Sequence, residues 1–288
     1  MTTSTFQPPF AGSGEGRPRA MAYRTRGVTH GPITRLMSPG DLGEHLKPFV
    51  FLDHFQLSAA AGLGMNPHPH SGIATHTTLL DGRLAYGDST GQAGSLDAGD
   101  VEWMQAGGGV WHWGAPEHGT LRGYQLWLAL PPGLELAPAA SQYLDAAQVP
   151  SDGVARLLLG HYGALRSPIA LPVSITYLHV RLKAGERWTY QPAADHDVAW
   201  LAVHGGALQV AGELVDRELV LFEGGNGAIT VGATDDVDFV IGSAAKHPHP
   251  LICGSYSVHT SPTALAQGEA TIVALGKTPD VLAVRRRA

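Results

Sequence analysis

The chain holds a single cysteine, Cys253, in 288 residues, so no internal disulfide can form. That usage fits a reducing compartment, and a cytoplasmic protein is expected. Cys253 sits in the apolar run Leu251-Ile252-Cys253 and reads as buried. No apolar stretch approaches the roughly 20 residues that a membrane-spanning helix needs. The opening segment MTTSTFQPPFAGSGEGRPR lacks the apolar centre of a secretory signal, and a disordered tail is expected over 1–20. Charge is also scarce. Charged residues make up 15% and the net charge is −6 with histidine neutral, which argues against binding nucleic acid through a basic face. The short basic run Arg285-Arg286-Arg287 reads as a solvated tail. No GxxxxGK[ST] phosphate loop occurs.

Glycine and proline, at 37 and 20 residues, are plentiful. So much punctuation disfavours long helices and favours short strands joined by turns. Strand signals run through Ile33–Met37, Pro48–Phe55, Thr75–Leu80, Val101–Met104 and Gly123–Leu130, with turns at Asp81-Gly82 and Gly87–Gly91. Pro131-Pro132-Gly133 breaks the pattern. A second set follows at Val154–Leu159, Ser174–Leu182, Val198–Val203, Ala207–Val210, Glu218–Phe222, Ala228–Val231 and Val237–Gly242. Thr260–Gly268 reads as a short helix with a serine cap, an early proline and a closing glycine. The two halves repeat loosely, which predicts an all-β protein of two tandem barrels with a few short helices. The boundaries read as a first barrel over 21–135, a linker over 136–153, a second barrel over 154–276 and a tail over 277–288.

The most informative segment is Pro67-His68-Pro69-His70-Ser71-Gly72. Two histidines two apart on an extended chain face the same way, and the prolines stiffen that geometry. Converging imidazoles are what a divalent cation takes. His112 ends the glycine loop Gly107–His112 some forty residues later, an interval that allows a hairpin and a return to the first pair. Turn and surface histidines are the plainer reading, since the chain has 15. His76 is too far along its strand to join the group, Glu102 reads as outward-facing, and His54 reads as barrel packing or as a partner behind a ligand. His247-Pro248-His249 reads as a loop, so a metal is expected in the first barrel and not in the second.

Taken in order, PFVFLDHF, PHPHSG, LLDG, AGDVEWMQAGGGVWH and GYQLWLALP resemble the pirin family, and ITYLHVRLKAGERWTYQP and YSVHTSPTALAQG resemble it more weakly. The resemblance implies a bicupin, two cupin-type barrels in one chain. It implies a metal in the first barrel, most often iron as Fe(II), held by three histidines and one glutamate. The histidines correspond to His68, His70 and His112; the glutamate position is Gly114. Three outcomes follow: a three-histidine site with open positions, a replacement ligand from Glu117, His118 or His76, or a weak or empty site. Trp103, Met104 and Trp111 are candidates to line a pocket for an aromatic substrate, with core packing as their alternative.

The resemblance implies a quercetin 2,3-dioxygenase-like oxidoreductase acting on a flavonol or similar aromatic enol. The alternative is a non-enzymatic pirin-like binding or regulatory protein with a degenerate metal site. A small aromatic molecule is the expected partner; neither nucleic acid nor membrane is.

Overall fold

The computed structural model describes residues 19–62, 64–171 and 173–285. The tail expected over 1–20 therefore lies, apart from its last two residues, outside the described residues, as do Arg286 and Arg287. The chain forms two compact units, Val28–Val149 with His247–Ala288 and Met1–Gly27 with Pro150–Lys246. The contiguous division read from the sequence differs from this at both ends. Strand Met21–Thr25 pairs antiparallel with Leu219–Phe222, and Arg24 Nε donates to Glu218 at 3.0 Å. Strand signals mark where a strand lies but not which distant edge it completes.

The first barrel is organised by two long strands, Ile73–Asp88 and Val110–Ala129. They run antiparallel from Ile73 opposite Ala129 to Asp88 opposite His112. Asp81-Gly82, expected as a turn, lies inside this ladder where the register shifts. Gly82 has φ +83° there, and a Cβ would collide with the Thr120 carbonyl oxygen. Strand Phe49–Ser58 lies beside Val110–Ala129, and Ile33–Met37 lies beside Phe49–Ser58. On the other flank Val101–Gln105 pairs with both Ile73–Asp88 and Ala140–Leu144. Part of the expected linker is thus an edge strand of this barrel. Strand Met65–His70 lies on the first part of Val110–Ala129.

The core of this unit includes two apolar clusters among the described residues. One gathers Val50, Phe51, Ile73, Met104, Val110 and Trp127, the other Phe55, Leu57, Leu79, Leu84, Leu96 and Leu121. Helix Pro262–Leu275 also belongs here. Ser261 Oγ accepts the Ala264 N–H at 3.2 Å as its cap. The helix does not stop at Gly268, because that glycine is needed for space: a Cβ would strike the His259 ring and Ser71. The expected tail after 277 contains helix Pro279–Arg285, with Val281 buried.

The second barrel contains an eight-stranded and a four-stranded sheet. Leu157, Leu178, Leu201, Val220, Phe239 and Ile241 fill its centre. Every strand expected in this half is present within a few residues.

Two burial expectations are overturned. Cys253 is exposed, on a two-residue strand paired with Val258–His259. Glu102 is buried, because Val101–Gln105 is covered on both edges and both faces. Its carboxyl accepts the Thr77 hydroxyl at 2.6 Å, and burial pushes its pKa up to about 7. The folded protein then keeps a proton that the unfolded chain releases above its ordinary value, so stability falls as pH rises between those two values. Glu102→Gln removes this dependence. Its stability relative to the parent should grow by roughly 2–3 kcal/mol from pH 4.5 to 7.5 in urea unfolding; a constant difference would contradict the burial.

Candidate metal centre

Pro67 and Pro69 hold Met65–His70 extended, so His68 and His70 project to one side. This strand pairs with the start of Val110–Ala129 so that His68 lies opposite His112. Directly opposed residues bring their side chains together. The ring centroids of His68 and His112 are 4.4 Å apart, of His68 and His70 4.9 Å, and of His70 and His112 5.0 Å. One nitrogen from each ring lies within 4.8 Å of the other two. His70 and His112 are buried and His68 is half-buried.

Hydrogen bonds fix which nitrogens are available. His68 Nδ1 lies 2.7 Å from the Asn66 carbonyl oxygen, and His70 Nδ1 lies 3.1 Å from that of Tyr256. A carbonyl only accepts, so each Nδ1 carries the proton and each Nε2 presents a bare lone pair. His70 Nε2 is fully buried without a hydrogen-bond partner. Burial lowers all three pKa values, His70 to about 3 and His112 well below its usual range, with the neighbouring rings adding to the effect for these two. The rings are therefore neutral, the form that binds a metal. His68 Nε2 and His112 Nε2 stand 2.9 Å apart. Two adjacent ligand nitrogens on one cation, each at roughly 2.0–2.1 Å, sit about 3 Å from one another. The orphaned lone pair and this spacing fit a divalent metal.

The fourth ligand that the resemblance implies has no counterpart here. A Cβ on Gly114 would lie 3.0 Å from Leu84 Cδ1 and 3.1 Å from Met65 Cε. Met65 is the cross-strand neighbour of Gly114, so a thioether and a leucine methyl fill the space beside that position. None of the three replacement ligands, Glu117, His118 and His76, reaches the centre. Glu117 is exposed and paired with Arg83 Nε at 2.9 Å, and His118 is exposed opposite Arg83. Among the described residues the three histidines are the one such group of His, Cys, Asp and Glu donors. His76 is buried and bonded to Thr78 Oγ1 at 3.2 Å, outside the group. His54 packs edge-on against Tyr124. His247 and His249 are in a loop, as expected, but in the first barrel's unit.

A cavity of about 300 Å³ adjoins His68. Phe51, Phe55, Met65, Trp127 and Tyr256 give it apolar walls, and Arg35, Asp53 and Gln125 give it a polar side. Phe51 and Trp127 stack at 4.0 Å. Arg35 grips Asp53 through Nε at 2.7 Å and Nη2 at 3.0 Å, and its guanidinium lies 4.2 Å over Phe51. Burial raises the Asp53 pKa against the pull of Arg35. Gln125 Nε2 is buried without a partner, while its carbonyl faces the Trp127 indole N–H at 3.5 Å.

None of Trp103, Met104 and Trp111 lines this cavity. Met104 is core, and the Trp111 indole donates to the Ile272 carbonyl at 2.8 Å beneath the helix. The residues that do line it come together through cross-strand register, which the sequence does not show: Phe51 and Asp53 oppose Trp127 and Gln125. Nor does it show Tyr256, which lies 186 residues beyond His70. One further segment, Gly87-Asp88-Ser89-Thr90-Gly91, matches the GxSxG spacing of a nucleophile elbow. It is a turn between two strands of a sheet, and Ser89 Oγ accepts the Trp111 N–H at 3.0 Å.

Known proteins resemble this chain to different degrees. The Pirin family profile matches residues 32–128. A Pseudomonas aeruginosa protein named "Putative quercetin 2,3-dioxygenase" is 30% identical over 238 residues, 77% of this chain and 83% of that one. A "Pirin-like protein" of Caulobacter vibrioides is 32% identical over 217 residues, 71% of this chain and 77% of that one. A crystal structure of quercetin 2,3-dioxygenase from Acinetobacter baumannii superposes with a TM-score of 0.83 at 20% identity, over 92% of this chain and 100% of that one. A bacterial pirin of Escherichia coli in complex with nickel(II) superposes at 0.62 with 19% identity, over 76% of this chain and 95% of that one. The fold is therefore the bicupin expected from the sequence. With relatives of this identity aligned over more than two thirds of both chains, the protein belongs to the pirin family.

Proposed function

We propose that this pirin binds one divalent metal through His68, His70 and His112 and acts as a dioxygenase on a flat aromatic enol of the flavonol class. The observation that carries this reading is the set of neutral imidazoles, two with bare Nε2 atoms, beside an aromatic-walled cavity. Imidazole donors suit several first-row metals, and iron as Fe(II) is the one the family resemblance favours. When bound, the metal would supply Lewis acidity and open positions for an enol oxygen and dioxygen.

The chain's own residues do the rest. Phe51 and Trp127, already stacked, present a rigid aromatic wall to a planar ring. The Gln125 amide offers a donor that has no internal partner. Asp53 is the one carboxylate among the cavity-lining residues. With its pKa raised by burial and its orientation set by Arg35, it is placed to accept the proton an enol gives up. Three neutral imidazoles leave a divalent site at +2, which favours an anionic oxygen. The second reading, a pirin that binds without catalysis, is supported by the loss of the carboxylate at Gly114 and the apolar filling there.

Elemental analysis of anaerobically Fe(II)-loaded protein should find close to one metal per chain, and His112→Ala should lose most of it. A parent protein without metal overturns the metal assignment. Oxygen uptake with a flavonol separates the two readings: metal-dependent consumption supports the enzyme, and full occupancy without consumption supports the binder. Gly114→Glu alone should cost about 1–3 kcal/mol through crowding. Combined with Met65→Ala it should tighten metal binding tenfold or more; unchanged affinity in the double variant would show that position 114 does not face the centre.

A further inference from the structure

Beside the centre runs a buried polar chain that the proposed activity does not use. Glu135 Oε2 lies 3.2 Å from His259 Nδ1, and His259 Nε2 lies 3.0 Å from Ser71 Oγ. Ser71 Oγ and Ser257 Oγ are joined by a hydrogen bond of 2.8 Å. All four side chains are buried. The Glu135 carboxylate also accepts the Thr260 N–H at 2.7 Å and the Thr260 hydroxyl at 2.6 Å. Serine, histidine and glutamate in this order resemble an acyl-transfer triad. Helix Pro262–Leu275 rules that out: Gly268 lies so close to Ser71 and His259 that not even a methyl group fits between them.

The position of the chain points to another role. Ser71 follows His70, and Ser257 follows Tyr256. The two serines form a parallel bridge, and Val258 N–H donates to the Ser71 carbonyl at 3.2 Å. Their neighbours make the bond from His70 Nδ1 to the Tyr256 carbonyl. We infer that Glu135, His259, Ser71 and Ser257 form a positioning device that clamps the segment 256–260 onto the end of strand Met65–His70. The clamp holds the Tyr256 carbonyl on His70 Nδ1 and so keeps the lone pair of His70 Nε2 free. The proton of a neutral imidazole goes to whichever nitrogen has the better acceptor. Without that carbonyl it can move to Nε2 and block the ligand atom. His259 and Glu135 thereby act on the centre from one ring away.

The consequence for metal affinity rests on the metal reading above; the consequence for the His70 proton does not, and the test uses both. Long-range ¹H–¹⁵N spectra of the metal-free full chain near pH 7.5 report the tautomer of His70, and a Co(II) absorption titration reports affinity. The parent should show His70 protonated at Nδ1. Ser71→Ala and His259→Gln should shift His70 toward Nε2–H and weaken Co(II) binding roughly 10–100-fold. Ser71→Ala removes one hydroxyl, and it carries the test if His259→Gln does not fold. Gly268→Ala, which pushes on the same pair from the helix, should act in the same direction. Folded variants that keep the parent tautomer and a Kd within twofold overturn the inference. A parent that binds no Co(II) while the variants still shift the His70 proton overturns the metal reading and leaves the clamp standing.

Discussion

The centre depends on one piece of strand register, the antiparallel seating of Met65–His70 on Val110–Ala129 that sets His68 opposite His112. Side chains alternate along a strand, so a slip of one residue would turn a whole strand's set to the other face. The register is held from several directions. Prolines flanking His68 keep the strand extended, Met65 closes over Gly114 at one end, and His70 is tied to Tyr256 at the other. The long strand beneath is itself fixed over its length by Ile73–Asp88 and Phe49–Ser58. Three ligand atoms from two sequence regions thus meet with little freedom left to lose on binding.

Burial then gives these side chains their chemistry. Desolvation disfavours the charged form of any titratable group, and its sign depends on the group. For His70 and His112 it removes the proton and leaves the lone pairs that a cation needs. For Glu102, in the same barrel, it favours the protonated form and raises the pKa of the carboxyl bonded to Thr77. The same desolvation therefore leaves lone pairs on the histidines and favours the protonated form of the glutamate. The exposed pair of Glu117 with Arg83 shows the contrast, since in water both groups stay charged and neither is available as a ligand.

Much of this was legible in the sequence. The parity of His68 and His70 and the glycine loop before His112 follow from local geometry, and so do nearly all the strands of both halves. Three things were not. The edge strand Ala140–Leu144 looked like linker because its sequence is rich in small and polar residues, and its pairing with Val101–Gln105 is tertiary. The burial of Glu102 follows from that same missed strand. The contribution of Tyr256, Ser257 and His259 was hidden because nothing in a strand pattern tells which barrel a terminal segment returns to. The helix past Gly268 was cut short for a related reason. Glycine stops a helix by propensity, but here it is present because the neighbouring His259 and Ser71 leave no room for a side chain.

Gly114 shows how a single position bears on the chemistry. A carboxylate at that position would face Met65 and Leu84, and those two residues already occupy the space. The apolar neighbours suit the absence of a carboxylate, because one buried there without a metal or donor would be costly. A group of three imidazoles brings no negative charge to a cation. The cavity has a carboxylate of its own, Asp53, gripped by Arg35 and with its pKa raised by burial. In the function proposed above, the three imidazoles would hold the cation and Asp53 would accept the proton, so the two tasks fall to different residues. On that reading, a bound divalent cation would keep its full positive charge while a base remained for the substrate.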